Sequence, residues 1–301
     1  MEPPDTIFPR AYGVEEEKGI MTDHSGCMDE PYDLVRQIET FAPLAETSCN
    51  TFYENGFRIY PGRSPESKHL TNLEVVTPEC RTPAEAVVYS RANDEITRKI
   101  VRDYAARTSK KLGREVHVRT QRRVCDPYGN RKACHDNYGL IDQIAYDDVL
   151  RRQFTLAIMG HLTTRSVVTG AGMVTADRFE FAQKVGGLKE IEAYGYAGSM
   201  FRLSGTEGTP RFEVRCSDVN ISDWATHQRI AGVALVHALT ATGLDEPLIW
   251  NDDAALSYAR HTNRLRLTAD GDPDFNDFHL DAIDFQHRLA ELFLDTLPLE
   301  T

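Results

Sequence analysis

Arg211-Phe212-Glu213-Val214-Arg215 alternates charged and apolar residues without a break. Alternation of period two predicts a β-strand, with Arg211, Glu213 and Arg215 on one face and Phe212 and Val214 on the other. The apolar pair can enter a core. The opposite face then holds two guanidiniums around one carboxylate. Arg forks grip phosphate or carboxylate oxygens and a Glu carboxylate holds a hard cation, so this face suits a site that handles both. The competing reading is a solvated strand face with cross-strand ion pairs, the ordinary fate of charged residues.

Around this strand the pattern mixes strands and helices. Residues 8–20, 57–60, 73–76, 116–124 and 133–140 read as strands, and Asn55-Gly56 and Asp126–Asn130 as turns. Pro61–Pro65 reads as a loop, and residues 185–210 as a Gly-rich mobile stretch. Thr82-Pro83-Ala84-Glu85 is a helix start: Thr82 caps, Pro83 fits the first helical position and Glu85 completes a capping box. That helix is expected to run to about Arg107 on a stripe of Val87, Ile96, Ile100, Val101 and Tyr104. Further helices are expected over 31–46, 146–162, 253–260 and 280–296, and from a Ser222 cap to Thr242 with Gly243 closing it. The predicted class is α+β with a largely antiparallel sheet.

The 301 residues carry 41% hydrophobic and 27% charged side chains, an ordinary globular balance. A net charge of −12 argues against general nucleic-acid binding. Basic residues nevertheless crowd the interval Arg98 to Lys132, either as a solvated surface or as an attractor of nucleotide phosphates or an acidic partner. No apolar run approaches the roughly 18 residues that cross a membrane, so no membrane partner is expected. The start, Met1-Glu2-Pro3-Pro4-Asp5, lacks the basic and apolar regions of a signal peptide. The six scattered cysteines form no C-x-x-C pair and read as reduced thiols of a cytoplasmic protein.

Several strands carry residues of metal-ligand type. Strand geometry places Glu15 and Glu17 side by side on one face, where like charges repel unless a cation bridges them. Glu74 and Glu79 flank Thr77-Pro78, and His135 lies in Ala133-Cys134-His135-Asp136-Asn137-Tyr138. With Glu213, four strands each offer such a residue. Each alone is compatible with an exposed acidic strand end or a structural histidine.

These segments, in this order, resemble the Pup ligase and Pup deamidase (depupylase) branch of the glutamine synthetase superfamily of carboxylate–amine ligases. Gly13-Val14-Glu15, with Glu17 and Gly19, is similar to that branch's G-I-E-T-E, an aromatic and Gly. Asn55-Gly56-Phe57-Arg58-Ile59-Tyr60 resembles N-G-A-R-L-Y, and Thr77-Pro78-Glu79-Cys80 matches T-P-E-C, with Glu74 standing where the branch has the Glu of H-P-E-Y. Cys134-His135-Asp136-Asn137-Tyr138 resembles C-H-E-N-Y. Thr164-Arg165 with Gly170-Ala171-Gly172 resembles T-R followed by G-A-G, and Asp218-x-Asn220-x-Ser222-Asp223 resembles D-x-N-M-S-E. The matches span roughly residues 10–245.

The resemblance implies a curved, largely antiparallel sheet forming a cradle with flanking helices. It implies a catalytic core over 1–245 and a C-terminal helical extension of the same domain over 246–301. ATP and Mg²⁺ are the implied cofactors. Glu15, Glu17, Glu74, Glu79, His135 and Glu213 are the implied metal ligands, and Arg58, Asn137 and Arg211 the nucleotide-binding residues. The implied reaction is ATP-dependent C–N ligation through an acyl phosphate. Its donor is a small acid or an acidic peptide or protein C-terminus, and its acceptor an amine. Arg211 would stabilise the transferring phosphoryl group and Arg215 would hold the donor carboxylate.

Three departures stand out. The branch has an Asp shortly after the Tyr of L-Y-x-D, whereas Tyr60 is followed by Pro61-Gly62-Arg63-Ser64-Pro65-Glu66, leaving Glu66 as the candidate catalytic carboxylate. The branch has R-L-H-V where this chain has Arg211–Arg215, which is closer to glutamine synthetase itself. Pup enzymes also continue with more catalytic domain and a small C-terminal domain beyond the length present here. An amide hydrolase of the depupylase type and a degenerate nucleotide-binding member are the alternative readings.

Overall fold

The computed structural model describes residues 7–22, 44–46, 51–53, 55–63, 71–122, 132–175, 178–192, 199–206, 208–243, 257–260, 262–267, 273–274 and 277–296. Two compact units result, one of Gly13–Cys134 and one of Met1–Tyr12 with His135–Thr301.

The first unit contains β1 (Tyr12–Thr22), β2 (Leu44–Glu46), β3 (Thr51–Tyr53), β4 (Arg58–Arg63), β5 (Thr71–Val76), α1 (Pro83–Leu112) and β6 (Val118–Gln121). Its strands lie in the order β6-β1-β5-β4-β3-β2, every pair antiparallel. Tyr53, Phe57, Ile59, Leu73 and Val75 form one core cluster with Ile100, Val101 and Tyr104 of α1. The Asn55-Gly56 turn is present: Gly56 takes φ +80°, and the Asn55 carboxamide accepts from the Phe57 N–H.

Helix α1 begins as its sequence predicts. The Thr82 hydroxyl accepts from the Glu85 N–H at 3.1 Å, while the Glu85 carboxylate reaches one residue past the cap, to the Arg81 N–H at 2.7 Å. It ends at Gly113 in the left-handed region. Its buried stripe differs from the expected one. Val87 and Ile96 are only partly buried, and the N-terminal half buries Ser90, Asn93, Asp94 and Thr97 instead. The cause is β1, which turns Glu16 and Lys18 toward the helix: Ser90 donates to Glu16 at 2.6 Å and Lys18 to Asp94 at 2.7 Å. Buried charges need such partners.

Two further expectations are corrected here. Residues 44–46 of the expected helix form a strand paired with β3, and 31–43 lie outside the described residues. Pro61–Arg63 continue β4 opposite Leu73, Asn72 and Thr71. Among the described residues no strand pairs with Pro61–Arg63 on the β3 side, where a proline has no ladder N–H to give. The predicted turn at 126–130 lies outside the described residues.

The second unit contains most of β7 (Cys134–Gly139), then α2 (Asp142–Tyr146), α3 (Asp148–Thr164), α4 (Ser166–Thr169), β8 (Met173–Val174), β9 (Arg178–Glu180), β10 (Glu190–Glu192), β11 (Ser199–Thr206) and β12 (Thr209–Ser217). Then come α5 (Asp223–Ala241), β13 (Arg264–Leu267), β14 (Pro273–Asp274) and α6 (Asp277–Thr296). Strands β10-β11-β12-β7 lie side by side, and β14-β13-β9-β8 form a small separate sheet. Phe154 of α3 meets Phe212 edge-on at 5.1 Å, so the helices cover the apolar face of β12.

The expected helix over 146–162 is α3, which starts two residues later, after the short α2. Asp147 breaks from helical geometry and caps α3 through the N–H groups of Val149 and Leu150. The interval 185–210, expected to be a mobile stretch, holds β10 and β11. Gly205 and Gly208, with φ +119° and +84°, sit at the β11–β12 hairpin, while Phe201 packs on Phe212 at 5.5 Å. Helix α5 is capped by Ser222, and Gly243, φ +75°, follows its end. The class is the expected mixture of helices with largely antiparallel sheet.

Candidate active site

In the first unit the sheet register gathers the carboxylates. Glu17 stands opposite Glu74, and Glu74 opposite Tyr60, so the three form a row across β1, β5 and β4. Glu15 is one step along the same face, and the Tyr60 hydroxyl donates to its Oε1. Glu17 Oε2 accepts from the Ala133 N–H at 2.8 Å. The Arg58 guanidinium lies over the Tyr60 ring, 4.4 Å from its centroid. Burial first, then the hydrogen bond and charge of Glu15 and the charge of Glu17, push the Glu74 carboxyl up to about 9. Burial, then the charges of Glu15 and Glu74, likewise raise the Tyr60 hydroxyl.

This crowding is chemically informative. Carboxylates packed this closely must share a proton or a cation. All-oxygen ligands on one rigid face fit a hard divalent ion such as Mg²⁺. Glu79 is exposed just beyond β5. Glu66 lies outside the described residues.

In the second unit β12 keeps the predicted alternation. Phe212 and Val214 are fully buried on the helix side, and Arg211, Glu213 and Arg215 share the other face. That face is not simply solvated, because Glu213 is only 6% exposed. Its carboxylate lies 3.4 Å from His135 Nδ1, 3.3 Å from the Arg211 guanidinium and 4.0 Å from Arg215 Nε. The Arg211 Nε also donates to the Ser204 hydroxyl at 3.3 Å. Strand alternation puts Asn137 on the His135 face. Its carboxamide oxygen is buried with no hydrogen-bond partner among the described residues. A buried acceptor of this kind suits a ligand.

The other quoted motifs build a frame beneath this face. Asp136 pairs with Arg229 at 3.0 Å and accepts from Ser217 at 2.6 Å, and Arg165 donates to Ser217 at 2.7 Å. Asp218 accepts from the N–H groups of Ala171, Gln183 and Lys184. Arg229 donates to the Asp218 carbonyl and to Asn220 Oδ1, and Asn220 donates to the Thr169 carbonyl at 2.7 Å. So Thr164-Arg165, Gly170-Ala171-Gly172 and the Asp218–Asn220 motif are one hydrogen-bonded structure. An ideal Cβ on Gly170 would lie 1.9 Å from the Phe181 carbonyl oxygen, which leaves room only for glycine.

Sequence reasoning missed Tyr60 and the Arg165–Asp136–Arg229 frame as parts of the site. Tyr60, Asp136 and Arg165 sit in quoted motifs, which was their signal. Arg229 lies within an apolar helix and shows no local signal; its partners Asp136, Asp218 and Asn220 explain it.

The family described as Pup-ligase protein matches residues 11–194, and the chain belongs to it. The Pup–protein ligase of Bifidobacterium dentium is 29% identical over 247 residues, covering 76% of this chain and 46% of that protein. Its counterpart in Bifidobacterium longum is 28% identical over 242 residues, with the same coverage. The crystal structure of the complex between the prokaryotic ubiquitin-like protein Pup and its ligase PafA matches with a TM-score of 0.73. The identity is 19%, over 96% of this chain and 59% of that one. The structure of PafA in complex with ADP gives a TM-score of 0.64 at 18% identity, over 92% and 59% of the two chains. The chain thus spans about half the length of the curated relatives it matches.

Proposed function

We propose that this chain is an ATP- and Mg²⁺-dependent carboxylate–amine ligase that forms an acyl phosphate on a Glu-like or peptide C-terminal carboxylate and passes it to an amine. The observation that carries the reading is the Glu15–Glu17–Glu74 row on one sheet face, in a chain of the Pup-ligase family. Glu15, Glu17, Glu74, Glu79, His135 and Glu213 are proposed as metal ligands. Bound Mg²⁺ would neutralise phosphate charge during transfer. Arg58, Asn137 and Arg211 are proposed to bind nucleotide, with Arg211 facing charge on the transferring phosphoryl group. Arg215 is proposed to hold the donor carboxylate as a two-pronged clamp. Glu66 is proposed as the catalytic carboxylate that takes a proton from the attacking amine.

The relatives are named for ligation of Pup, a small protein, and a substrate of that class is proposed for this chain. Residues 1–245 are proposed as the catalytic core and 246–301 as its helical extension. Among the described residues no helix is long and apolar enough to cross a membrane. A cytoplasmic setting belongs to the same proposal, consistent with free thiols at Cys80, Cys134 and Cys216.

The test is ADP release from Mg-ATP in the presence of a peptide ending in glutamate and a lysine-bearing protein. Donor-dependent ADP release with a new amide bond by mass spectrometry supports the ligase. A folded protein that cleaves isopeptide conjugates without ADP release would replace it with a hydrolase.

A further inference from the structure

Strand β1 carries charge on both faces. Glu15 and Glu17 point to the carboxylate face, and Glu16 and Lys18 point to α1. The α1 side is dry: Glu16, Lys18 and Asp94 are 3, 2 and 5% exposed. The Lys18 ammonium donates to Asp94 at 2.7 Å and lies 3.3 Å from Glu16, whose other oxygen accepts from Ser90 at 2.6 Å. Asp94 pairs in turn with Arg91 at 3.4 Å and with Arg122, the residue after β6. One ionic network thus ties β1 to α1 and to the end of β6. Neither Glu16 nor Lys18 belongs to the motif behind the resemblance, which has Thr and an aromatic at these two positions.

A buried ion network is a poor source of stability, because desolvation offsets much of its attraction. Its best-attested use is to fix register. The apolar residues of β1 fix register only in part. A one-residue slip is blocked, because it turns the buried Val14 and the partly buried Ile20 away from their side of the strand. A two-residue slip keeps both faces. It sets Gly19 or Glu15 opposite Glu74 in place of Glu17. The same slip brings Ile20 or Glu16 to Asp94 in place of Lys18, an apolar or like-charged group against a buried carboxylate.

We propose that the Lys18–Asp94 pair, with Glu16 held by Ser90, is the register lock of β1, and that it positions Glu15 and Glu17 against Glu74. Lys18, Asp94 and Glu16 are positioning residues that act through the metal-face carboxylates. The consequence for metal binding rests on the ligase reading; the register itself does not.

The experiment neutralises the network in the full chain with Glu16→Gln, Lys18→Met and Asp94→Asn together. Cysteine pairs between β1 and β6 report the register. Opposite residues on this face stand at disulfide distance, since Gln121 Cβ lies 3.7 Å from where a Gly19 Cβ would be. Met21 and Arg119 are opposite and exposed, so Met21→Cys with Arg119→Cys traps the native register. Met21→Cys with Gln121→Cys or with His117→Cys traps the two slips. With the network intact, mass spectrometry should find the native disulfide almost alone. In the neutral variant the slipped disulfides should form as well. Mn²⁺ affinity, by calorimetry, should then fall about threefold, as when about a third of the molecules keep the native register. The urea midpoint should stay at or above that of wild type, which separates lost register from lost stability. The native disulfide in the neutral variant should restore Mn²⁺ affinity, and its reduction should remove the gain. Lys18→Met with Asp94→Asn, which keeps the Ser90–Glu16 bond, answers the same question if the neutral variant does not fold. A folded neutral variant that forms the native disulfide alone overturns the register lock. A wild type that binds no Mn²⁺ sinks the metal reading of the face, while the disulfides still decide the lock.

Discussion

Replacing Glu74 by Gln tests the carboxylate face directly. An isolated Glu ionises near its ordinary value of 4.5, whereas burial and the neighbouring Glu15 and Glu17 hold the folded Glu74 protonated up to about 9. Its folded pKa is raised, so the stability linked to it is complete below about 4.5 and declines as pH rises toward about 9. At pH 7 the folded protein holds a proton that the unfolded chain has released 2.5 pH units earlier. At roughly 1.36 kcal/mol per unit this amounts to at most about 3 kcal/mol. Sharing of the proton with Glu15 and residual water access bring the expected effect to about 1–3 kcal/mol. Gln keeps an N–H donor for Glu15 and never ionises. In EDTA at pH 7, Glu74→Gln should therefore raise the urea-unfolding free energy by about 1–3 kcal/mol over wild type. The gain should shrink toward pH 5. A divalent ion must expel the same proton, so Mn²⁺ binding to wild type should release about one proton at pH 7, seen as a buffer-dependent calorimetric enthalpy. The variant should bind Mn²⁺ more weakly and release none. A variant less stable than wild type at pH 7, with an unchanged pH slope between 5 and 9, would refute the reasoning.

Other consequences follow from the buried frame and the basic residues. Arg229→Met leaves Asp136 buried without its guanidinium and should cost about 3–5 kcal/mol in urea unfolding. Gly170→Ala drives a Cβ into the Phe181 carbonyl and should cost at least about 2 kcal/mol by the same measure. Arg215→Lys should raise donor KM about tenfold with a smaller change in kcat, because a lysine cannot form the two-pronged clamp.

Much of this protein was legible in order along the chain. The alternation at Arg211–Arg215 gave the right strand and the right faces, because side-chain period two is a local property of backbone geometry. The Thr82 and Ser222 caps were legible for the same reason: a cap involves residues three positions apart. The pairing of Glu15 and Glu17 on one face needed nothing beyond their spacing.

What failed depended on distant partners. Pro61–Arg63 looked like a loop because proline lacks a ladder donor, yet Thr71–Leu73 of β5 pair with the segment and hold it in the sheet. The polar stripe of α1 could not be read from the helix, because Glu16 and Lys18 of β1 select it. Composition misread the described parts of 185–210, because Gly186 and Gly187 serve one tight helical turn and Gly205 and Gly208 one hairpin.

The sequence by itself determined the family and the alternation of the Arg211–Arg215 and Glu15–Glu17 strands. Tertiary structure alone decided that Glu74 stands beside Glu17 and Tyr60, that Arg229 neutralises Asp136, and that Lys18 meets Asp94. The division has a physical cause. Periodicity and capping act over a few residues, whereas burial of charge depends on which strands pair, and that register is settled only when the whole core forms.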